Sequence, residues 1–318
     1  FVEKDMRTSE STFYVFRYSL VKEQQETLIP VNLPTIKGDA IKVAVTDDRE
    51  WMDKNVKFSF VGFSDSIRRE SKETNKRSSI LIGKLARLKK TNVGEKIPGD
   101  IVNSVEDDWI PVIVIFDTVE QLIFVQKSSK FGDVKYIAKK LQKGLFDPIL
   151  LNYNYRVFVE PIPVKGEFWH AVNKYNRIYE LNLTLISPNI LETNKKARSA
   201  LEALHSLYSQ DKTEIKMKSE SGNLKIPELP TEDYVEYIEE GEGEWKLKVN
   251  DNGVRKIISS ASLTETIELP VYKNVNEVLL NSQYELDVQE VQDYDNVQSR
   301  VATKLTDRIL DFIKRRHD

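Results

Sequence analysis

Two periodicities run through this chain without settling into a strand, helix, strand order, and that irregularity constrains the fold more than any single motif. Between Thr12 and Tyr18, Tyr14, Phe16 and Tyr18 fall on one side of a period-two run, with Phe13, Val15 and Arg17 on the other, which predicts an aromatic strand. Similar runs predict strands at Ile41 to Val45, Val56 to Phe63, Ser79 to Leu88, Pro111 to Phe116, Leu122 to Gln126, Tyr155 to Ile162, Ile178 to Ser187 and Glu214 to Lys218. Helical spacing appears at Asp133 to Lys143, where Val134, Ile137, Ala138 and Leu141 recur and Gly144 supplies a stop. It returns around Glu167 to Val172, at Glu192 to Tyr208, at Glu232 to Glu239 and at Val297 to Arg316. Asp251-Asn252-Gly253 joins Glu244 to Val249 and Val254 to Ser259 as a hairpin, while Pro227 and Pro230 read as breaks.

This mixture predicts an α+β fold of mixed, largely antiparallel sheets with packed helices. Charge divides it into two parts. Residues 1 to 200 carry 32 basic and 26 acidic side chains, and residues 201 to 318 carry 15 and 24. The expected division is a basic α+β body over residues 1–189 and an acidic α+β second part over 190–318 ending in an amphipathic helix, with the boundary near Ser187-Pro188-Asn189.

The basic excess peaks from Lys54 to Lys90, with eleven Lys or Arg against Asp65, Glu70 and Glu73 in a chain of net charge −3. Its densest part, Arg68, Arg69, Lys72, Lys76 and Arg77, has few apolar residues and reads as a basic loop between strands. Period two then separates Arg87 and Lys89 from Lys84 and Lys90. At about 100° per residue, Lys135, Lys139 and Lys143 gather on one side of their helix, opposite the apolar stripe. Clustered positive charge is what phosphate neutralisation needs, and it demands no particular spacing. A solvated basic surface has the same composition. Few aromatics lie in the basic run, so contact with the duplex backbone is expected rather than stacking on single strands.

Several classes of chemistry are excluded. With no Cys there are no disulfides, thiolate nucleophiles or Cys-based metal sites, which fits a reducing compartment. The longest strongly apolar run, Ile110 to Phe116, falls far short of the roughly 20 residues of a spanning helix. The first residues lack a signal-peptide pattern, so a cytoplasmic chain without membrane insertion is expected. His170, His205 and His317 are too scattered to form a metal site. Gly241-x-Gly243 lacks the third Gly and the Lys of a phosphate loop. Asp117 and Glu160, at strand ends, suit either turns or the carboxylates of a Mg²⁺ nuclease. No catalytic residue, metal or cofactor is assigned.

The succession Phe13-Tyr14-Val15-Phe16-Arg17-Tyr18, then residues 121–132, Tyr155 to Pro163 and Arg177 to Leu185, resembles the RexA/KwaB-like phage-exclusion and phage-defence proteins across about residues 12–190. The resemblance implies a non-catalytic homodimer that contacts double-stranded DNA in antiviral defence. No family binding residue transfers. The expected function is duplex-DNA binding through Arg68, Arg69, Lys72, Lys76, Arg77, Lys84, Arg87, Lys89, Lys90, Lys135, Lys139 and Lys143. Two other readings stay open: a metal-dependent nuclease effector, and a subunit that docks a second defence-system protein through its acidic part.

Overall fold

The computed structural model describes residues 8–23, 38–70, 77–186, 196–272, 305 and 307–316. The fold is α+β, and every strand pairing between its elements is antiparallel. An eight-stranded sheet runs in the order β12-β1-β6-β5-β4-β3-β2, with β7 also on β1. Its strands are β1 (Thr8–Lys22), β2 (Glu50–Asp53), β3 (Val56–Glu70), β4 (Arg77–Ile97), β5 (Asp100–Asp117), β6 (Leu122–Gln126), β7 (Tyr155–Pro161) and β12 (Thr266–Tyr272). The second sheet, ordered β11-β10-β8-β9, contains β8 (Ile178–Ile186), β9 (Lys212–Lys218), β10 (Gly243–Asp251) and β11 (Val254–Ser259). Because β12 returns to β1, the second sheet is an insertion in the chain order of the first.

The aromatic alternation of β1 explains why the large sheet is covered on both sides. Phe16, Tyr18 and Leu20 point into one core with Phe58, Phe60, Leu85 and Phe116, under α1 (Asp39–Val45) and α2 (Val134–Tyr153). Phe13 and Val15 point into the opposite core with Ile113, Ile115 and Phe124. That side is closed by Leu305 and by Ile309, Phe312 and Ile313 of α6 (residues 307–316). A third core, centred on Leu181, Leu183, Leu185 and Trp245, lies between the second sheet and α3 (Glu167–Lys174), α4 (Lys196–Tyr208) and α5 (Glu228–Glu239). Among the described residues no helix is long and apolar enough to cross a membrane.

Several local expectations are corrected. Ile41 to Val45 is helical, since Ala40, Ile41, Ala44 and Val45 have the spacing of one helix face and pack into the first core. Helix α2 continues through Gly144 to Tyr153 and ends on Asn154, which adopts the left-handed conformation at φ 57°. A Cβ at position 144 would lie 2.7 Å from the rings of Phe60 and Trp51, so glycine is needed there for close approach of helix to sheet, not for a stop. Pro230 sits in the first turn of α5, where its missing N–H is not required. Of the expected basic loop, Arg68 and Arg69 lie on β3, which runs to Glu70, and Arg77 begins β4, while residues 71–76 lie outside the described residues. The predicted hairpin at Asn252-Gly253 forms, with both turn residues at positive φ (51° and 86°) and Asp251 opposite Val254.

Candidate nucleic-acid interface

Asp133 starts α2 by accepting a hydrogen bond on its side chain from the Tyr136 backbone N–H at 2.8 Å. With Ile137, Leu141, Leu145 and Ile149 buried against the sheet, Lys135, Lys139 and Lys143 are left exposed on the outer face, four residues apart. These three side chains line a cleft whose other walls include Phe146, Glu160 and Lys212. Lys212 opens β9 and arrives there through the pairing of β9 with β8, in which it lies opposite Ile186.

The positive charge of this cleft is partly compensated. The Lys135 ammonium is 2.6 Å from the Glu244 carboxylate, which also meets Lys246 at 2.8 Å. Lys212 is 2.9 Å from Glu160 and lies 5.0 Å above the Phe158 ring. Lys143 pairs with Asp53 at 3.1 Å, and Asp53 also takes Lys140, a nearly buried lysine set over the rings of Phe58 and Tyr136. Hydrogen bonds from Lys140 and Lys143 hold the Asp53 carboxyl below the usual range. Burial pushes Glu244 up, but its bonds to Lys135 and Lys246 outweigh this and leave it below that range. Lys139 has no ion-pair partner among the described residues.

The basic residues of β3 and β4 lie elsewhere. Arg68 and Arg69 stand opposite Ser79 and Ser78, and Arg77 stands opposite Glu70, at one end of β4. Lys72 and Lys76 lie outside the described residues. Lys84 is half-buried on β4, and its burial lowers its pKa. Arg87 donates to the Lys130 carbonyl, with its guanidinium 5.8 Å from the Phe131 ring centre, just before α2. Lys89 and Lys90 stand opposite Asp108 and Asp107. From Arg77 to Lys89 the strand covers about 40 Å, so the ends of the basic run belong to separate surfaces.

The acids considered for catalysis have structural partners. Asp117 is buried and accepts from the backbone N–H groups of Val119 and Glu120 at 3.0 and 3.2 Å, closing the turn before β6. Glu160 holds Lys212. Among the other acids, Glu239 accepts from the Gly166 N–H at 2.8 Å, and burial raises its pKa. His170 is exposed on α3; the His205 Nδ1 lies 2.8 Å from the Gln210 carbonyl oxygen; His317 lies outside the described residues. Among the described residues no group of three or more His, Asp or Glu side chains is placed to hold a metal ion.

Of the twelve expected binding residues, the fold therefore gathers the three α2 lysines into one cleft and adds Lys212. Sequence reasoning missed Lys212 because it lies outside the basic run, and only strand register carries it there. No protein-family model and no curated protein matches the chain.

Proposed function

We propose that this chain is a non-catalytic, cytoplasmic duplex-DNA-binding protein that acts as a homodimer in defence against phage. The observation that carries the DNA reading is the convergence of Lys135, Lys139, Lys143 and Lys212 on one open cleft. In the pairs with Glu244 and Glu160 the lysines are the more exposed partners. Phosphates can therefore meet the outer sides of Lys135 and Lys212, and the exposed Lys139, while the carboxylates keep their lysines, and counterion release then favours the complex. The role in defence is supported by the RexA/KwaB-like pattern of residues 12–190.

The test is binding to a fluorescent duplex across a salt series, with Mg²⁺ added in parallel. Reversing Lys135, Lys139 and Lys143 to Glu should weaken binding to every sequence alike, because phosphate contacts carry no base information. Each lost contact should flatten the slope of log K against log salt by roughly 0.9. Unchanged affinity with the fold retained would reject the cleft as the site. Cleavage in Mg²⁺ would favour a nuclease.

A second reading, a protein-interaction subunit, is favoured by one observation. The outer parts of β4 and β5 leave Ile101, Val102 and Val105 uncovered, at 63, 48 and 64% exposure.

A further inference from the structure

Counting charges along the chain conceals a basic face. Residues 201–318 hold 15 basic and 24 acidic side chains, yet strand register sorts the second sheet into two unlike sides. Leu181, Leu183 and Leu185 of β8 point inward with Trp245, Leu247 and Val249 of β10, and residues of α3, α4 and α5 pack against them. Alternation turns Lys246 and Lys248 of β10 outward. It does the same for Lys216 and Lys218 of β9, opposite Asn182 and Glu180, and for Arg255 of β11, opposite Asn250.

These five cations share the side with three acids, Glu180, Glu214 and Glu244, and each acid is already held. Glu180 takes Lys216 at 3.0 Å and Lys218 at 3.8 Å. The Lys216 hydrogen bond, with the charges of Lys218 and Lys248 also near, holds its carboxyl below the usual range. Glu214 accepts from the Asn182 side chain. Glu244 joins this face to the cleft, since it lies between Lys246 and Lys135 of α2. Strand β9 makes the same connection: Lys212 lines the cleft, and Lys218 lies further along the strand, about 20 Å away. At the far end, the Arg255 guanidinium lies 4.2 Å from the centre of the Tyr179 ring, and hydrogen bonds from Asn250, Arg255 and Arg177 lower the pKa of the Tyr179 phenol.

We infer that the outer face of the second sheet continues the α2 cleft as one track for the phosphate backbone of a duplex, with Lys216, Lys218, Lys246, Lys248 and Arg255 as the added contacts. Charge complementarity carries the inference: a surplus of cations remains after every acid of the face has its partner. Outward lysines two residues apart on a strand are about 6.7 Å apart. A track of about 20 Å matches about six base pairs at 3.4 Å each. A single strand would need open rings for its bases, whereas the Tyr179 ring is covered by Arg255. The inference rests on the phosphate reading of the cleft and extends it to a second surface, so the two surfaces are changed separately in its test.

The test is duplex binding across a salt series for two neutralising sets, Lys216→Gln/Lys218→Gln/Lys248→Gln on the sheet and Lys135→Gln/Lys139→Gln/Lys143→Gln on α2. Thermal midpoint checks folding, and the single variants Lys218→Gln and Lys248→Gln, which leave Lys216 on Glu180, serve if the sheet set unfolds. The sheet set should flatten the slope of log K against log salt by roughly 2.7, three contacts at about 0.9 each, and either single variant by roughly 0.9. Both sets together should flatten it by roughly 5.4. Lys96→Gln/Lys314→Gln, on β4 and α6, should leave the slope unchanged. A flatter slope with the sheet set alone would keep the face and reject the cleft. If the α2 set flattens the slope and the sheet set does not, the inference is overturned and the cleft stands. Both fall if neither set has an effect. A slope that Lys96→Gln/Lys314→Gln also flattens would overturn the face as a site, since the charge of the whole chain would then be the cause.

Discussion

The Ser19 hydroxyl donates to the Glu242 carboxylate at 2.6 Å, and both side chains are buried. Ser19 belongs to β1 of the large sheet, and Glu242 immediately precedes β10 of the inserted sheet, so this contact ties the two together. Ser19→Ala should lower unfolding stability by about 1–3 kcal/mol, the range for depriving a buried polar group of its partner. Denaturant midpoints measure this, and a loss below about 0.5 kcal/mol would mean that the contact contributes little.

Asp53→Asn should cost about 2 kcal/mol at neutral pH, because it leaves the nearly buried Lys140 without its counter-charge. The pH dependence has a definite sign. Lys140 and Lys143 hold the Asp53 carboxyl below its unfolded value of about 3.9, so its stabilisation is complete above that pH and fades as the pH falls through the lower folded-state value. The stability difference between wild type and Asp53→Asn should therefore shrink on acidification below about pH 4, as urea titrations at stepped pH would reveal. A difference that stays constant would mean that the ion pair is not its source.

Gly144→Ala tests why α2 passes through a glycine. Helix propensity alone favours alanine by about 1 kcal/mol. The new methyl would press on Trp51 and Phe60, and overpacking costs about 1–3 kcal/mol. Net destabilisation is expected, with a lower thermal midpoint and altered Trp51 fluorescence. A higher midpoint would show that the rings yield freely.

Phe312→Ala should cost about 3–5 kcal/mol. Its ring meets Phe124 nearly edge-on at a centroid distance of 6.2 Å, and it belongs to the only helix covering that side of the sheet among the described residues. The variant should also bind a hydrophobic dye, as the face around Phe124 opens. Wild-type stability and no dye binding would show that α6 is dispensable.

β1 was foretold because its residues are covered on both faces, so a near-continuous aromatic and β-branched run records its burial. The Asn252-Gly253 turn was legible because few residues tolerate positive φ at two consecutive positions. Ile41 to Val45 was misleading: its short apolar run suits either periodicity, and contact with the core selects the helix. The length of β4 could not be read because residues 89–97 are largely exposed, with charged side chains on both faces and no inward side to mark. The α2 lysines were visible from their spacing of four. Their partners Asp53 and Glu244, and the Glu160–Lys212 pair in the same cleft, were not, since each is brought in from a distant segment by the fold.

The insertion of one sheet into another has a consequence for how the molecule is made. Thr12 on β1 donates to Glu268 on β12 at 2.6 Å across 256 residues of chain. On the ribosome, β1 emerges well before β12, the strand that completes this edge. Until β12 appears, the Thr8 to Tyr14 edge has open hydrogen-bonding positions and is exposed to pairing with other nascent chains. Stopping translation before residue 266 would leave that edge permanently open. The product would be an aggregation-prone chain rather than a smaller working protein.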